Sequence, residues 1–443
     1  MNEAPPSAKT RRLQTWALRL ALVAAVLAIG IRAQLASAAF MLPGGDILGW
    51  SRLPTTRCTL CDVRVPTPNS AHAQPLTPAQ YAALLTQHLS LSDELGQLMM
   101  VQLSGTDVSA DAVQMINTQG AGGILFFAGN IQSADQIRSL TQQVQHLAPI
   151  PLLLAIDQEG GTVNRFANLV GPRPAAAALT SPAQANHQGQ SDADLLHSYG
   201  FNLNLAPVVD VGLSNPQLWM RTFGSSPDRV AAMAGAYLEG LQQSGQVTGT
   251  LKHFPGLGGT STDPHRGMPV LDRSRADWES IDLAPYRTLL KQEDVRAILV
   301  SHEMLPAVDS DLPTSLSPKI IDATLRHEMG YDGVVITDSL YMAALNERWS
   351  VAQACVLAIE AGADIVIGPY TTQMVQEAED ALRSAIASGA LSRARIDTSV
   401  RRILTLKLRM GLIPMPRIPG RQPGNLAQVP DMLAQARKQL MWT

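Results

Sequence analysis

An acid and an imidazole two residues apart, Asp263 and His265, close a run that opens with Lys252-His253-Phe254-Pro255-Gly256 and continues through Gly258 and Gly259. A carboxylate in that relation can orient the histidine ring and stabilise its imidazolium form, which is equipment for proton transfer. The glycines at 256, 258 and 259 have access to positive φ and read as a loop that moves at low cost. Taken alone, an Asp-x-His is more often only a polar surface turn.

Other polar residues fall directly after apolar runs. Leu152-Leu153-Leu154-Ala155-Ile156 is followed by Asp157-Gln158-Glu159-Gly160-Gly161, and Thr248-Gly249-Thr250-Leu251 by Lys252-His253. Ile298-Leu299-Val300 leads into Ser301-His302-Glu303, and Val334-Val335-Ile336-Thr337 into Asp338. A charge next to a buried strand is costly unless it is paired or used, so these strand ends argue for one shared polar pocket. His253, His302, Asp157 and Asp338 are possible metal ligands. Lys252 argues against that, because a fixed cation repels a metal, and no His-x-x-x-His pair is present. Gly256-Leu257-Gly258-Gly259 also lacks the Gly-Lys-Ser/Thr ending of a phosphate-binding loop. Neither a metal nor another cofactor is expected.

The elements that must position these residues alternate along the chain. Candidate strands cover 97–103, 123–127, 151–156, 202–207, 248–252, 297–300, 333–337 and 363–367, with helical patterns between most of them, for example 134–147, 227–243, 318–328 and 351–361. The economical solution is an α/β fold, a (β/α)8 TIM barrel, which carries its chemistry at the C-terminal ends of its strands. A last amphipathic helix is expected over 396–410.

The chain has 443 residues and a net charge of -3, from 34 basic and 37 acidic residues without a dense basic block, so no nucleic-acid partner is expected. Lys9, Arg11 and Arg12 precede an apolar stretch over 20–31, and Ala36-Ser37-Ala38 offers a small-residue cleavage site. Residues 1–40 therefore read as a signal peptide or membrane anchor, and the protein as extracytoplasmic, either secreted or attached to the membrane. A Pro/Thr-rich linker is expected over 41–78, the catalytic barrel over 79–413 and a Pro-rich tail over 414–443. Cys58-x-x-Cys61 lies outside the expected catalytic body and reads as a local structural element. Oligomeric state leaves no mark in the sequence.

The run Lys252-His253-Phe254-Pro255-Gly256 with Gly258, Asp263 and His265 resembles the signature of family 3 glycoside hydrolases of the β-N-acetylhexosaminidase type. Asp157-Gln158-Glu159-Gly160-Gly161 with Arg165-Phe166, Asn204-Leu205-Ala206-Pro207-Val208-Val209-Asp210, Arg221-Thr222-Phe223-Gly224 and Asp332-Gly333-Val334-Val335-Ile336-Thr337-Asp338 follow in family order, within about 91–412. The resemblance implies a retaining exo-enzyme that releases terminal β-linked N-acetylglucosamine from peptidoglycan or chitin-derived glycans. It implies Asp338 as nucleophile, His265 as acid and base with Asp263 positioning it, and Asp157, Arg165, Arg221, Lys252 and His253 as the sugar-binding set. Thr162, Gly259 and Pro264 depart from the family pattern, and Pro264 fixes its own φ and restricts Asp263. A phosphorylase or a β-glucosidase on the same scaffold is the enzymatic alternative. A non-catalytic sugar-binding surface protein is the alternative of another class, against which the intact Asp338, Asp263 and His265 argue.

Overall fold

Short runs of aliphatic residues with no polar interruption can bury both faces, and a sheet buried on both faces is what a parallel barrel requires. The computed structural model describes residues 58–60, 76–212, 215 and 218–416. The signal or anchor segment, Cys61, most of the 41–78 linker and the tail after residue 416 lie outside the described residues. In chain order the strands are β1 Met99–Gln102, β2 Gly123–Phe126, β3 Leu153–Ile156, β4 Gln158–Gly160, β5 Val163–Asn164, β6 Leu203–Asn204, β7 Thr248–Phe254, β8 Ala297–Val300, β9 Val334–Ser339 and β10 Ile365–Ile367. All but β4 and β5 form a closed barrel in which each strand lies beside the next, and β10 pairs in parallel with β1 to close it. The register is regular where strands are long enough to show it, as from Ala297↔Val334 to Val300↔Thr337. The eight expected strands are these eight, and the (β/α)8 barrel is the fold.

Two strands run further than their apolar composition suggests. β7 continues through Lys252 and His253 to Phe254, and β9 through Asp338 to Ser339. The polar residues are therefore the last residues of strands and inherit the rigidity of the barrel. β4 and β5 form a small antiparallel hairpin directly after β3, with Thr162 exposed at its turn.

The helices Ala134–Leu147, Pro227–Gln242, Val351–Ala361 and Arg393–Arg409 start at serines whose side chains accept the N–H of the third helical residue, a cap that satisfies one orphan donor of the first turn. The segment Lys319–Glu328, expected as an ordinary helix, is wound more widely and ends with Met329 N–H donating to Thr324 O. Among the described residues no helix is long and apolar enough to cross a membrane. Cys58 is disulfide-bonded, and Cys355 is a buried free thiol. Thr59 N–H donates to Pro149 O at 3.0 Å and Leu60 is buried, so this short piece of the expected linker packs against the chain entering β3.

At the opposite end of the barrel from the polar strand termini, the fully buried Lys407 donates to Gln97 Oε1 at 2.6 Å and to Gly122 O at 3.0 Å. Burial, with no carboxylate partner among the described residues, pushes its pKa down to about 7 from 10.5. The unfolded chain then holds one more proton than the folded one between about pH 7 and 10.5, so stability rises with pH across that window. Lys407→Met should remove this rise. The check is the melting temperature of both proteins from pH 7 to pH 10, with the wild type gaining on the variant; parallel curves would contradict it.

Candidate active site

The eight residues singled out from the sequence all line one cavity of about 550 Å³ at the C-terminal ends of the strands, within the range of small-molecule sites. Its floor begins with Asp157, next after β3, and Glu159 in β4. Alternate residues of an extended chain share a face, and both carboxylates reach Lys252. Lys252 Nζ stands 2.5 Å from Asp157 Oδ1 and 2.7 Å from Glu159 Oε1. Glu159 also accepts two bonds from Arg221, at 2.7 Å from Nε and 2.8 Å from Nη2. Arg165 Nη2 approaches Asp157 Oδ2 at 3.4 Å, with its guanidinium 5.6 Å from the Phe127 ring centre.

These partners decide the charge states. Burial pushes the Asp157 and Glu159 carboxyls up, but Lys252, with Arg165 for Asp157 and Arg221 for Glu159, overrules it and holds both below their ordinary values. Burial pulls Lys252 down, and the same two carboxylates lift it above the ordinary lysine value. The floor is thus a set of fixed ionised donors and acceptors, suited to an array of hydroxyl groups.

His253 lines the same cavity as its strand neighbour Lys252, at a point where the β7–β8 register slips between Leu251 and Phe254. Its Nδ1 lies 2.7 Å from Asp210 Oδ2, and its Nε2 lies 3.3 Å from Arg221 Nη2. Arginine only donates, so the tautomer that satisfies both partners carries its proton on Nδ1. Asp210 also accepts the Leu257 N–H at 2.7 Å. Removing this buried carboxylate strands two donors, so Asp210→Ala should cost about 2–5 kcal/mol, read as a lower denaturation midpoint together with a lower kcat/KM.

The glycine-rich run proves packed where it was expected to be mobile. Residues 250–258 are all buried. Gly256 has φ of 129°, and a Cβ there would stand 2.5 Å from Asp282 Cβ. A Cβ on Gly258 would stand 2.2 Å from Val211 O. At both positions a close approach of neighbouring chain requires glycine, and Gly256 also takes the positive φ expected of it. At Gly259 an added Cβ would stand 2.8 Å from Arg273 Nε, and Arg273 is engaged with Asp282 Oδ2 at 2.9 Å.

Beyond this packed part the chain rises to the mouth of the cavity. His265 Nδ1 lies 2.9 Å from Asp263 Oδ1, which also accepts the His265 backbone N–H at 3.0 Å. Partial burial raises the Asp263 carboxyl, and the two hydrogen bonds from His265 outweigh that and hold it low. The His265 side chain is 70% exposed. Pro264 between them is buried, and its carbonyl accepts the Ala344 N–H at 3.2 Å. Asp338, in β9, accepts the Ser339 N–H at 2.8 Å. A carboxylate and an imidazole lining one cavity above a floor of hydroxyl-binding groups have the chemistry for a double displacement at a sugar carbon.

His302 does not line the cavity. It is buried, with Nε2 2.9 Å from Ser339 O and Nδ1 2.6 Å from Ser315 Oγ, so it braces the turn beyond Asp338, and burial lowers its pKa. Glu303 is also buried, and burial pushes its pKa up to about 8. Glu159, Asp210 and the aromatic residues Tyr341 and Tyr370 belong to the site or its support, although the sequence reading gave them no role. The alternation of 157 with 159, and a carboxylate directly after the apolar stretch 205–209, were the available signals.

The model of the glycosyl hydrolase family 3 N-terminal domain matches residues 90–406. The chain belongs to this family. It is a glycoside hydrolase. Among its relatives, β-hexosaminidase LpqI of Mycobacterium tuberculosis strain H37Rv is 35% identical over 360 residues, which cover 78% of this chain and 88% of the relative. The structure of a glycoside hydrolase family 3 β-N-acetylglucosaminidase from Paenibacillus sp. FPU-7 superposes with a TM-score of 0.70 at 34% identity, covering 79% of this chain and 68% of the other. The M. tuberculosis LpqI structure superposes with a TM-score of 0.67 at 33% identity, over 79% of this chain and 99% of that one. The family 3 match spans β1 to β10 and every charged group of the cavity described above.

Proposed function

We propose that this family 3 hydrolase is a retaining exo-β-N-acetylhexosaminidase that releases terminal β-linked N-acetylglucosamine. The observation that carries the reading is that Asp338 and the Asp263–His265 pair line the same cavity as Lys252, Asp157, Arg165, Arg221 and His253. Asp338 attacks the anomeric carbon while His265 protonates the departing oxygen; water activated by His265 then releases the sugar from Asp338. Asp263 fixes the ring of His265. Ionised Asp157 and Lys252 hold hydroxyls of the terminal sugar, and His253 Nε2 and the two arginines complete its recognition. Relatives named β-hexosaminidase and β-N-acetylglucosaminidase support the choice of sugar. The basic residues Lys9, Arg11 and Arg12 before an apolar stretch support an extracytoplasmic enzyme acting on peptidoglycan or chitin-derived fragments.

The test follows the first-formed product of 4-nitrophenyl N-acetyl-β-glucosaminide by proton NMR, and labels the enzyme with a slow fluorinated N-acetylglucosaminyl donor. The expected results are the β-anomer first and the label on the peptide bearing Asp338. The α-anomer first, or a label elsewhere, overturns the mechanism. Release of sugar 1-phosphate in phosphate buffer would make the enzyme a phosphorylase.

A further inference from the structure

We infer that Tyr341, beside Tyr370, forms a stacking subsite for the sugar ring that leaves, so that the enzyme selects for a pyranose as leaving group. This deepens the exo-glucosaminidase reading and rests on it. The cavity is graded in depth. Its charged floor is buried, with the side chains of Lys252 and Glu159 exposed to 3% and 4%. His265 and Tyr341 stand at the mouth, Tyr341 being 51% exposed. If the terminal sugar fills the floor and His265 meets the glycosidic oxygen, the next ring must lie at the mouth, alongside both residues.

Tyr341 is held there rather than left loose. Its carbonyl accepts the Asn346 side-chain amide at 2.6 Å. Three residues on, Ala344 N–H is bonded to Pro264 O, so the turn carrying Tyr341 is tied to the segment carrying His265. Tyr370 lies with its ring centre 6.0 Å from that of Tyr341, and its hydroxyl donates to Ser339 Oγ at 2.6 Å, next to Asp338. Tyr341 touches Tyr370 on one side and leaves about half of its surface open at the mouth, and the C–H face of a pyranose is the natural complement of such a ring.

The experiment compares kcat/KM on two disaccharides with kcat/KM on methyl N-acetyl-β-glucosaminide, whose leaving group has no ring. The disaccharides are N,N′-diacetylchitobiose and N-acetylglucosaminyl-N-acetylmuramic acid, and the proteins are wild type, Tyr341→Ala and Tyr341→Phe. Tyr341→Ala should lower the disaccharide-to-methyl ratio about tenfold, mainly through KM, and Tyr341→Phe should keep it within about twofold because stacking does not use the hydroxyl. A fall for both disaccharides marks a general ring subsite, and a fall for one alone names the preferred glycan. An unchanged ratio in Tyr341→Ala overturns the subsite while leaving the exo-glucosaminidase reading intact. Wild type that cleaves none of the three overturns that reading itself.

Discussion

Asp338→Ala is expected to lower kcat/KM on an aryl N-acetyl-β-glucosaminide by roughly 10⁴-fold or more, because the proposed covalent step has no other carboxylate to form on. The other acidic residues of the cavity are committed elsewhere. Asp157 and Glu159 are held by Lys252 and the arginines, and Asp263 by His265. The fold should survive the change, since Asp338 is half-buried and its carboxylate accepts the N–H of its own chain neighbour Ser339. Unchanged melting with lost turnover is therefore the expected pair of observations. Added azide should restore part of the rate and give the α-glycosyl azide, since a small anion can enter from the face that the carboxylate vacated. A folded variant with wild-type turnover removes Asp338 from the mechanism.

His265→Ala is expected to lose about 10²- to 10⁴-fold, the usual worth of a positioned acid or base. The loss should depend on the leaving group. A nitrophenolate departs without a proton, so its glycosylation step suffers little, whereas a sugar alkoxide needs the proton and suffers most. With the aryl substrate the release of the sugar from Asp338 should become limiting, and azide should accelerate it to the β-glycosyl azide. Asp263→Asn should reproduce a weaker form of the same pattern, since the backbone still presents His265 at the mouth while the charge that orients its ring is gone. An equal loss on nitrophenyl and sugar leaving groups would assign His265 to binding rather than to proton transfer.

Much of this was legible in the sequence because a parallel barrel writes itself as short apolar runs. The eight strands sit where Ile, Leu and Val cluster, and the residues that interrupt or end those runs, Asp157, Lys252, His253 and Asp338, are the ones that line the cavity. What was not legible depends on pairs distant in sequence. Asp210 reads as one more acid after an apolar run until the fold brings it to His253, and Glu159 as a second acid after the third strand until Arg221 and Lys252 close on it. The close packing at Gly256 and Gly258 was hidden for the same reason, although Gly256 takes the positive φ expected of it. Glycine permits both motion and contact, and only the positions of Asp282 and Val211 tell which is in use. His302 looked equivalent to His253, each being a histidine at a strand end; Ser315 and the Ser339 carbonyl put it behind the site.

The bond from Ala344 N–H to Pro264 O has a consequence for traffic through the enzyme. It joins the stretch that presents His265 to the stretch that follows Asp338, so the two halves of the proposed reaction are supplied by parts of the chain that are fastened to each other near the entrance. On the proposed mechanism, the end of a longer glycan is trimmed at this exposed entrance while the remainder stays in solvent.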